Sequence, residues 1–172
     1  MSIRILETAK ASRPLTPSSG GTYVCVLPNA MSKIRLLQIG RLLGFDLRGD
    51  LDELHSTLMY SRGHFPFDDR VDPRLEHPAT ITDIEFWPGH DNEGYLVLTL
   101  ESQSLQERHR SWLDQGLVHS FPDYLPHVTL TSGLGVLNDE LRSRIKTVRP
   151  KVVGLQLVLT NEQIEGLKAK SS

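Results

Sequence analysis

The feature that most restricts how this chain can fold is an order of elements that occurs twice. Residues 22–60 read as strand, helix, strand, and residues 95–131 read the same way. The closing strand of each set carries the same short pattern. It is His55-Ser56-Thr57-Leu58 in the first and His127-Val128-Thr129-Leu130 in the second. The two histidines stand 72 positions apart (55 and 127), and the two predicted helix starts stand 73 apart (31 and 104). Such a repeat predicts a pseudo-two-fold that carries two equivalent histidines to one shared cleft.

Alternate side chains of a strand share a face. His55, Thr57 and Met59 are therefore expected on one side, with Leu54, Leu58 and Tyr60 on the other. In the second copy His127, Thr129 and Thr131 oppose Val128 and Leu130. Each strand offers an apolar face to a core and a polar face to a cleft, with Ser56 the polar exception on the core side. Histidine suits proton transfer because its ordinary pKa is about 6.5. One neutral and one protonated imidazole can serve as base and acid in cleaving a phosphodiester, and threonine hydroxyls can bond the non-bridging oxygens as charge grows there. That scheme calls for no metal or other cofactor. A third loose match, His109-Arg110-Ser111-Trp112, falls in a predicted helix, where residues two apart diverge. His109 is accordingly expected at the surface or partly packed. His64, His77, His90 and His119 fall in loops or near turns and are expected to be solvated.

Around the motifs the chain divides as follows. Residues 1–21 are expected to form a flexible leader, with no apolar run of the kind that marks a secretory signal. Thr22–Leu27 is a strand. Met31–Leu43 is a helix with Ile34, Leu37 and Leu42 on its apolar side and Gly44 as its stop. Leu54–Tyr60 is the first motif strand, and Phe65–Pro78 is a loop. Thr80–Trp87 and Tyr95–Glu101 form a hairpin. Its connection, residues 89–94, reads as a turn rather than a calcium loop, because the ligand spacing is absent. Ser104–Gln115 is a helix followed by Gly116, with Leu105, Arg108, His109 and Trp112 along one side. Leu125–Thr131 is the second motif strand. Asn138–Lys146 is a short helix capped by Asn138, Val152–Leu159 is a closing strand, and 168–172 is a tail.

The 172 residues fit one domain of ordinary size or two closely packed lobes. No apolar stretch approaches the ~20 residues of a membrane-spanning helix. A net charge of −2 argues against a broad surface for long nucleic acid, while leaving room for a small nucleotide in one pocket. The lone Cys25, between Val24 and Val26, reads as a buried thiol with no intramolecular partner. These features together predict a cytoplasmic protein. They leave the oligomeric state open.

With both motifs in view, the chain resembles the 2H phosphoesterase superfamily, defined by two His-x-Thr/Ser-apolar motifs. The resemblance extends over most of residues 22–165. It is closest to the phage anti-CBASS cyclic-oligonucleotide phosphodiesterases. The stretches that carry it are residues 54–62 (LHSTLMYSR), 84–87 (IEFW) and 124–130 (YLPHVTL). The resemblance implies an α+β, bilobal fold over residues 22–167, with two pseudo-symmetric, mainly antiparallel sheet lobes, flanking helices and a central cleft. It implies metal-independent hydrolysis of 3′–5′ bonds in cyclic di- and trinucleotide signals, cGAMP among them. Carried over by motif, His55, Thr57, His127 and Thr129 are catalytic, and Tyr23, Trp87 and Glu162 contact the substrate. Stacking on a base is worth ~1–3 kcal/mol; Tyr23 and Trp87 are equally apt as core residues. Two other readings stand beside this one: an enzyme of the same superfamily that opens 2′,3′-cyclic phosphates of RNA or nucleotides, and a module that binds a cyclic nucleotide without cleaving it.

Overall fold

The structure is a computed structural model that describes residues 21–62 and 71–166. Most of the predicted leader, His64, the first part of the 65–78 loop and the tail lie outside the described residues. Among the described residues six strands and three α-helices follow one another as β1 (Thr22–Pro28), α1 (Ala30–Leu42), β2 (Ser56–Ser61), β3 (His77–Pro88), β4 (Gly94–Glu101), α2 (Gln103–Asp114), β5 (His127–Thr131), α3 (Asp139–Val152) and β6 (Gln156–Gly166).

All the strands join one sheet in the order β2-β1-β6-β3-β4-β5, and every neighbouring pair is antiparallel. Where two sheet lobes are expected, the described strands are continuous: β6 lies between β1 and β3 and joins the two sets. The runs β1-α1-β2 and β4-α2-β5 reproduce the repeated order predicted from the sequence. Their motif strands stand at opposite ends of the sheet. Some Cα atoms of β2 and β5 nonetheless lie within 8 Å of each other, so the ends curl back toward one another.

One apolar core unites the helices with one face of the sheet, through Leu36, Ile39, Leu105, Trp112, Ile145, Val24 and Leu98 among others. Each helix starts on a side-chain cap, which satisfies an otherwise orphaned N–H. Asn29 Oδ1 accepts from Ser32, Ser102 Oγ from Leu105 and Asn138 Oδ1 from Leu141.

Several expectations need correction. α1 does not bury Ile34 or Leu42; both are exposed, as is Met31. It docks through Ser32, Leu36, Ile39 and Gly40 instead. Ser32 Oγ accepts the Val158 N–H of β6, and a Cβ on Gly40 would stand 2.6 Å from Leu47 Cδ1. Close approach through small residues leaves little apolar periodicity to read.

α3 runs past its expected end to Val152, through Pro150. Leu141, Ile145, Val148 and Val152 form one buried stripe at helical spacing. Burial of that stripe outweighs the one ladder bond that proline removes. The closing strand consequently starts at Gln156 rather than Val152. β3 opens earlier than expected, at His77. That residue is buried against Ser104 Oγ at 3.1 Å, not solvated. The 89–94 connection is a tight turn with Asp91 and Asn92 at positive φ, a conformation that Asp and Asn tolerate. Cys25 is buried in β1.

Candidate active site

β5 has the alternation its sequence predicts: Val128 and Leu130 are buried, while His127, Thr129 and Thr131 are half-exposed on the other face. β2 departs from it. Val24 pairs with Met59 and Cys25 with Thr57, so Leu58 is an extra residue in a bulge. Leu58 and Met59 both enter the core, and beyond them the faces are exchanged. Met59 therefore does not share the face of His55 and Thr57, and Tyr60 does not share that of Leu58. The Tyr60 ring lies 6.5 Å from that of Tyr23. Period-two reasoning cannot see a bulge, because no residue type marks it.

His55 immediately precedes β2, and His127 is the first residue of β5. Their surroundings match. His55 Nδ1 bonds the carbonyl of Glu53 at 2.6 Å, and His127 Nδ1 bonds the carbonyl of Leu125 at 2.7 Å. A carbonyl only accepts, so each Nδ1 carries the proton and the lone pair of the neutral ring falls on Nε2. Each ring is thus oriented by the backbone two residues before it. Burial lowers the pKa of His55 below the ordinary histidine value, opposed in part by the Glu53 carbonyl.

An aromatic side chain from another strand meets each imidazole, Tyr23 from β1 and Trp87 from β3. The Tyr23 ring approaches His55 edge to face at 5.9 Å, and its hydroxyl shares a 3.0 Å hydrogen bond with Thr57 Oγ1. The Trp87 ring meets His127 at 4.7 Å, and its Nε1 donates to Glu85 Oε2 at 2.5 Å. Tyr23 and Trp87 are both buried, yet each touches a motif residue. The structure therefore gathers Tyr23, His55 and Thr57 in one group and Trp87 and His127 in another. Thr129 lies beside the second group, opposite Val97 of β4.

Glu162 is not in either group. It alternates with Ile164 on the core side of β6, and its side chain is fully buried. Arg108 donates to both of its oxygens, through Nη2 at 2.6 Å and Nε at 2.7 Å. The Trp112 Nε1 and Asp72 N–H groups complete the set. The structure thus places Glu162 apart from both motif groups, with its carboxylate holding α2 and the 71–73 segment against β6. The acidic residue on the other face of β6 is Glu165, directly opposite Tyr23 in register. Burial raises its carboxyl pKa. The parity of β6 could have singled it out, had the strand been placed at 156–166 rather than 152–159. His109 is a further correction. It is buried rather than at the surface, with Nδ1 donating to the Leu58 carbonyl at 2.6 Å.

The family described as anti-CBASS protein Acb1 matches residues 20–172. The chain belongs to the Acb1 family. It is 30% identical to the anti-CBASS protein Acb1 of Vibrio phage KVP40 over 149 residues, covering 87% of this chain and 89% of that protein. It is 32% identical to the Acb1 of Escherichia phage RB16 over 124 residues (70% and 67%), and 31% identical to that of Enterobacteria phage T4 over 120 residues (70% and 77%). Membership in the Acb1 family implies a role against CBASS defence. Both candidate groups fall inside the matched span. Among the described residues, no helix is long and apolar enough to cross a membrane.

Proposed function

We propose that this chain is a phosphodiesterase of the 2H type that hydrolyses 3′–5′ bonds in cyclic di- and trinucleotides and so disarms CBASS in the host cytoplasm. The observation that carries the reading is the matched setting of the two histidines, each locked through Nδ1 to a backbone carbonyl so that Nε2 can exchange a proton with a substrate. The lowered pKa of His55 suits a base that starts neutral. In the first step the 2′-hydroxyl attacks phosphorus and His55 takes its proton. The bond from phosphorus to O5′ breaks, and His127 gives its proton to that oxygen. The product is a 2′,3′-cyclic phosphate, which water opens with the roles reversed. Thr57, steadied by Tyr23, and Thr129 bond the non-bridging oxygens. Tyr23 and Trp87 flank the bases, and Glu165 is the carboxyl available to a base edge beside Tyr23. No step routes through a metal.

The test is incubation with a panel of cyclic di- and trinucleotides in the presence of a chelator, with linear products followed by chromatography. Cleavage is expected in the wild type. In His55→Ala and His127→Ala it is expected to fall by about 10²–10⁴-fold with the circular dichroism spectrum unchanged. Full turnover in both variants would overturn the mechanism. Turnover confined to 2′,3′-cyclic phosphate ends would favour a nucleotide-processing enzyme, and recovery of intact ligand from a stoichiometric complex would favour a binding module.

A further inference from the structure

Among the described residues β2 is an end strand of the sheet, paired with β1 along one edge. Backbone groups on the other edge need water or other partners. Here the partners are specific, and two of them are histidines. Tyr60 N–H donates to His119 Nδ1 at 3.2 Å, and Tyr60 O accepts from Ser120 N–H at 2.7 Å. Leu58 O accepts from His109 Nδ1 of α2. The two imidazoles meet edge to face at 4.8 Å, and Tyr124 stacks on His109 at 4.1 Å. Phe121 packs against both His119, at 5.6 Å, and Tyr60, at 5.7 Å.

The place of this cluster gives it meaning. Leu58 and Tyr60 follow directly on the His55 and Thr57 pair. His119, Ser120 and Tyr124 lie in the segment that runs into His127, and Leu125 of that segment orients the His127 ring. One short segment therefore grips the first motif strand and delivers the second. A neutral histidine supplies an acceptor at Nδ1; a protonated one, or an apolar side chain, does not.

We propose that His119, supported by His109, is a positioning residue that holds the outer edge of β2 and fixes where His55 and Thr57 lie relative to β5. The inference rests on reading the two motifs as one phosphodiester-cleaving site.

Three substitutions test it. In His119→Asn the amide oxygen falls where Nδ1 stood, so the acceptor is kept. In His119→Gln it moves one bond outward, and in His119→Leu it is absent. Each purified variant is assayed for amide exchange at Tyr60, for the imidazole resonances of His55, and for kcat and KM on a 3′–5′-linked cyclic dinucleotide. The Gln and Leu variants are expected to exchange the Tyr60 amide about tenfold faster, as loss of one hydrogen bond allows. They should shift the His55 resonances and lower kcat about tenfold, with KM within twofold. Asn is expected to restore all three, a rescue that general loss of packing would not give. Should Leu fail to fold, the Asn and Gln pair decides. Equal behaviour of Asn and Gln, or unchanged Tyr60 exchange in Gln and Leu, overturns the proposal, as does faster exchange with unaltered kcat. If the wild type cleaves no cyclic nucleotide, the functional reading fails by itself. The His55 resonances then decide: a shift in Gln but not in Asn supports the positioning role, and no shift overturns it.

Discussion

Glu162→Gln separates a residue that holds the fold from one that reads a substrate. Four N–H groups converge on the two carboxylate oxygens. Arg108 Nη2 and the Asp72 amide reach Oε1, at 2.6 and 3.2 Å, and Arg108 Nε and Trp112 Nε1 reach Oε2, at 2.7 and 3.3 Å. Glutamine matches the volume but keeps one acceptor oxygen. Whichever way the amide is turned, two of the donors lose their acceptor and face another N–H. The Arg108 charge, 15% exposed at its side chain against 0% for Glu162, is left without its counter-ion. Breaking a buried pair in this way costs about 3–5 kcal/mol. For a chain of this size that lowers the melting temperature by roughly 10 °C. Urea unfolding gives the free energy directly. A second substitution, Arg108→Met, removes the stranded charge, and the double variant should be more stable than Glu162→Gln alone. Below its transition the single variant should bind substrate with an unchanged KM. A loss under about 1 kcal/mol together with a raised KM would refute the argument and return Glu162 to the substrate.

Three further outcomes are expected. Because burial lowers the His55 pKa, the acidic limb of the kcat/KM profile should have its midpoint below the ordinary histidine value of about 6.5; a midpoint above it would exclude His55 as the base. The pKa of His119 is pushed down to about 4 by burial and by His109; Tyr124 and the Tyr60 backbone also face its ring, and Arg110 acts on His109. The unfolded chain therefore binds this proton more readily, so the contribution is intact above pH 6.5 and is lost as pH falls toward 4, a slope that should flatten in His119→Asn when Tm is followed against pH. Ser56 Oγ is buried without a hydrogen-bond partner at the position where the second motif has Val128, so Ser56→Ala should raise the unfolding free energy by about 1 kcal/mol with turnover retained, and a destabilised variant would contradict this.

Much of the scaffold was legible because local chemistry and tertiary structure agree. The capped α3 start, the turn at Asp91 and Asn92, and the alternation of β5 each follow from residues within a few positions of one another. The motif pairs were legible for the same reason, since His127 and Thr129 need only a strand to share a face. What escaped depends on partners remote in sequence. The docking face of α1 is set by Ser32 meeting Val158 and Gly40 meeting Leu47. The bulge at Leu58 is set by pairing with β1. Glu162 looked available because an acidic residue near a strand end gives no hint of Arg108, 54 positions away. His109 and His119 were set aside as incidental because their partners are backbone atoms of β2, which carry no sequence signal.

The position of β6 has a consequence for how the protein comes into being. β6 follows every other strand in the chain, yet it is the one that bridges β1 to β3, with Leu159 paired to Pro28 on one side and His77 on the other. On the ribosome, both histidine strands are made long before the piece that joins their halves. The nascent chain can form β1 with β2 and β3 with β4 and β5, but the sheet itself stays divided until residues 156–166 emerge. Assembly of the cleft is therefore a late, long-range event, slow by its topology. A chain stopped short of β6 would keep both histidine–threonine pairs and, on the proposed function, lose its turnover.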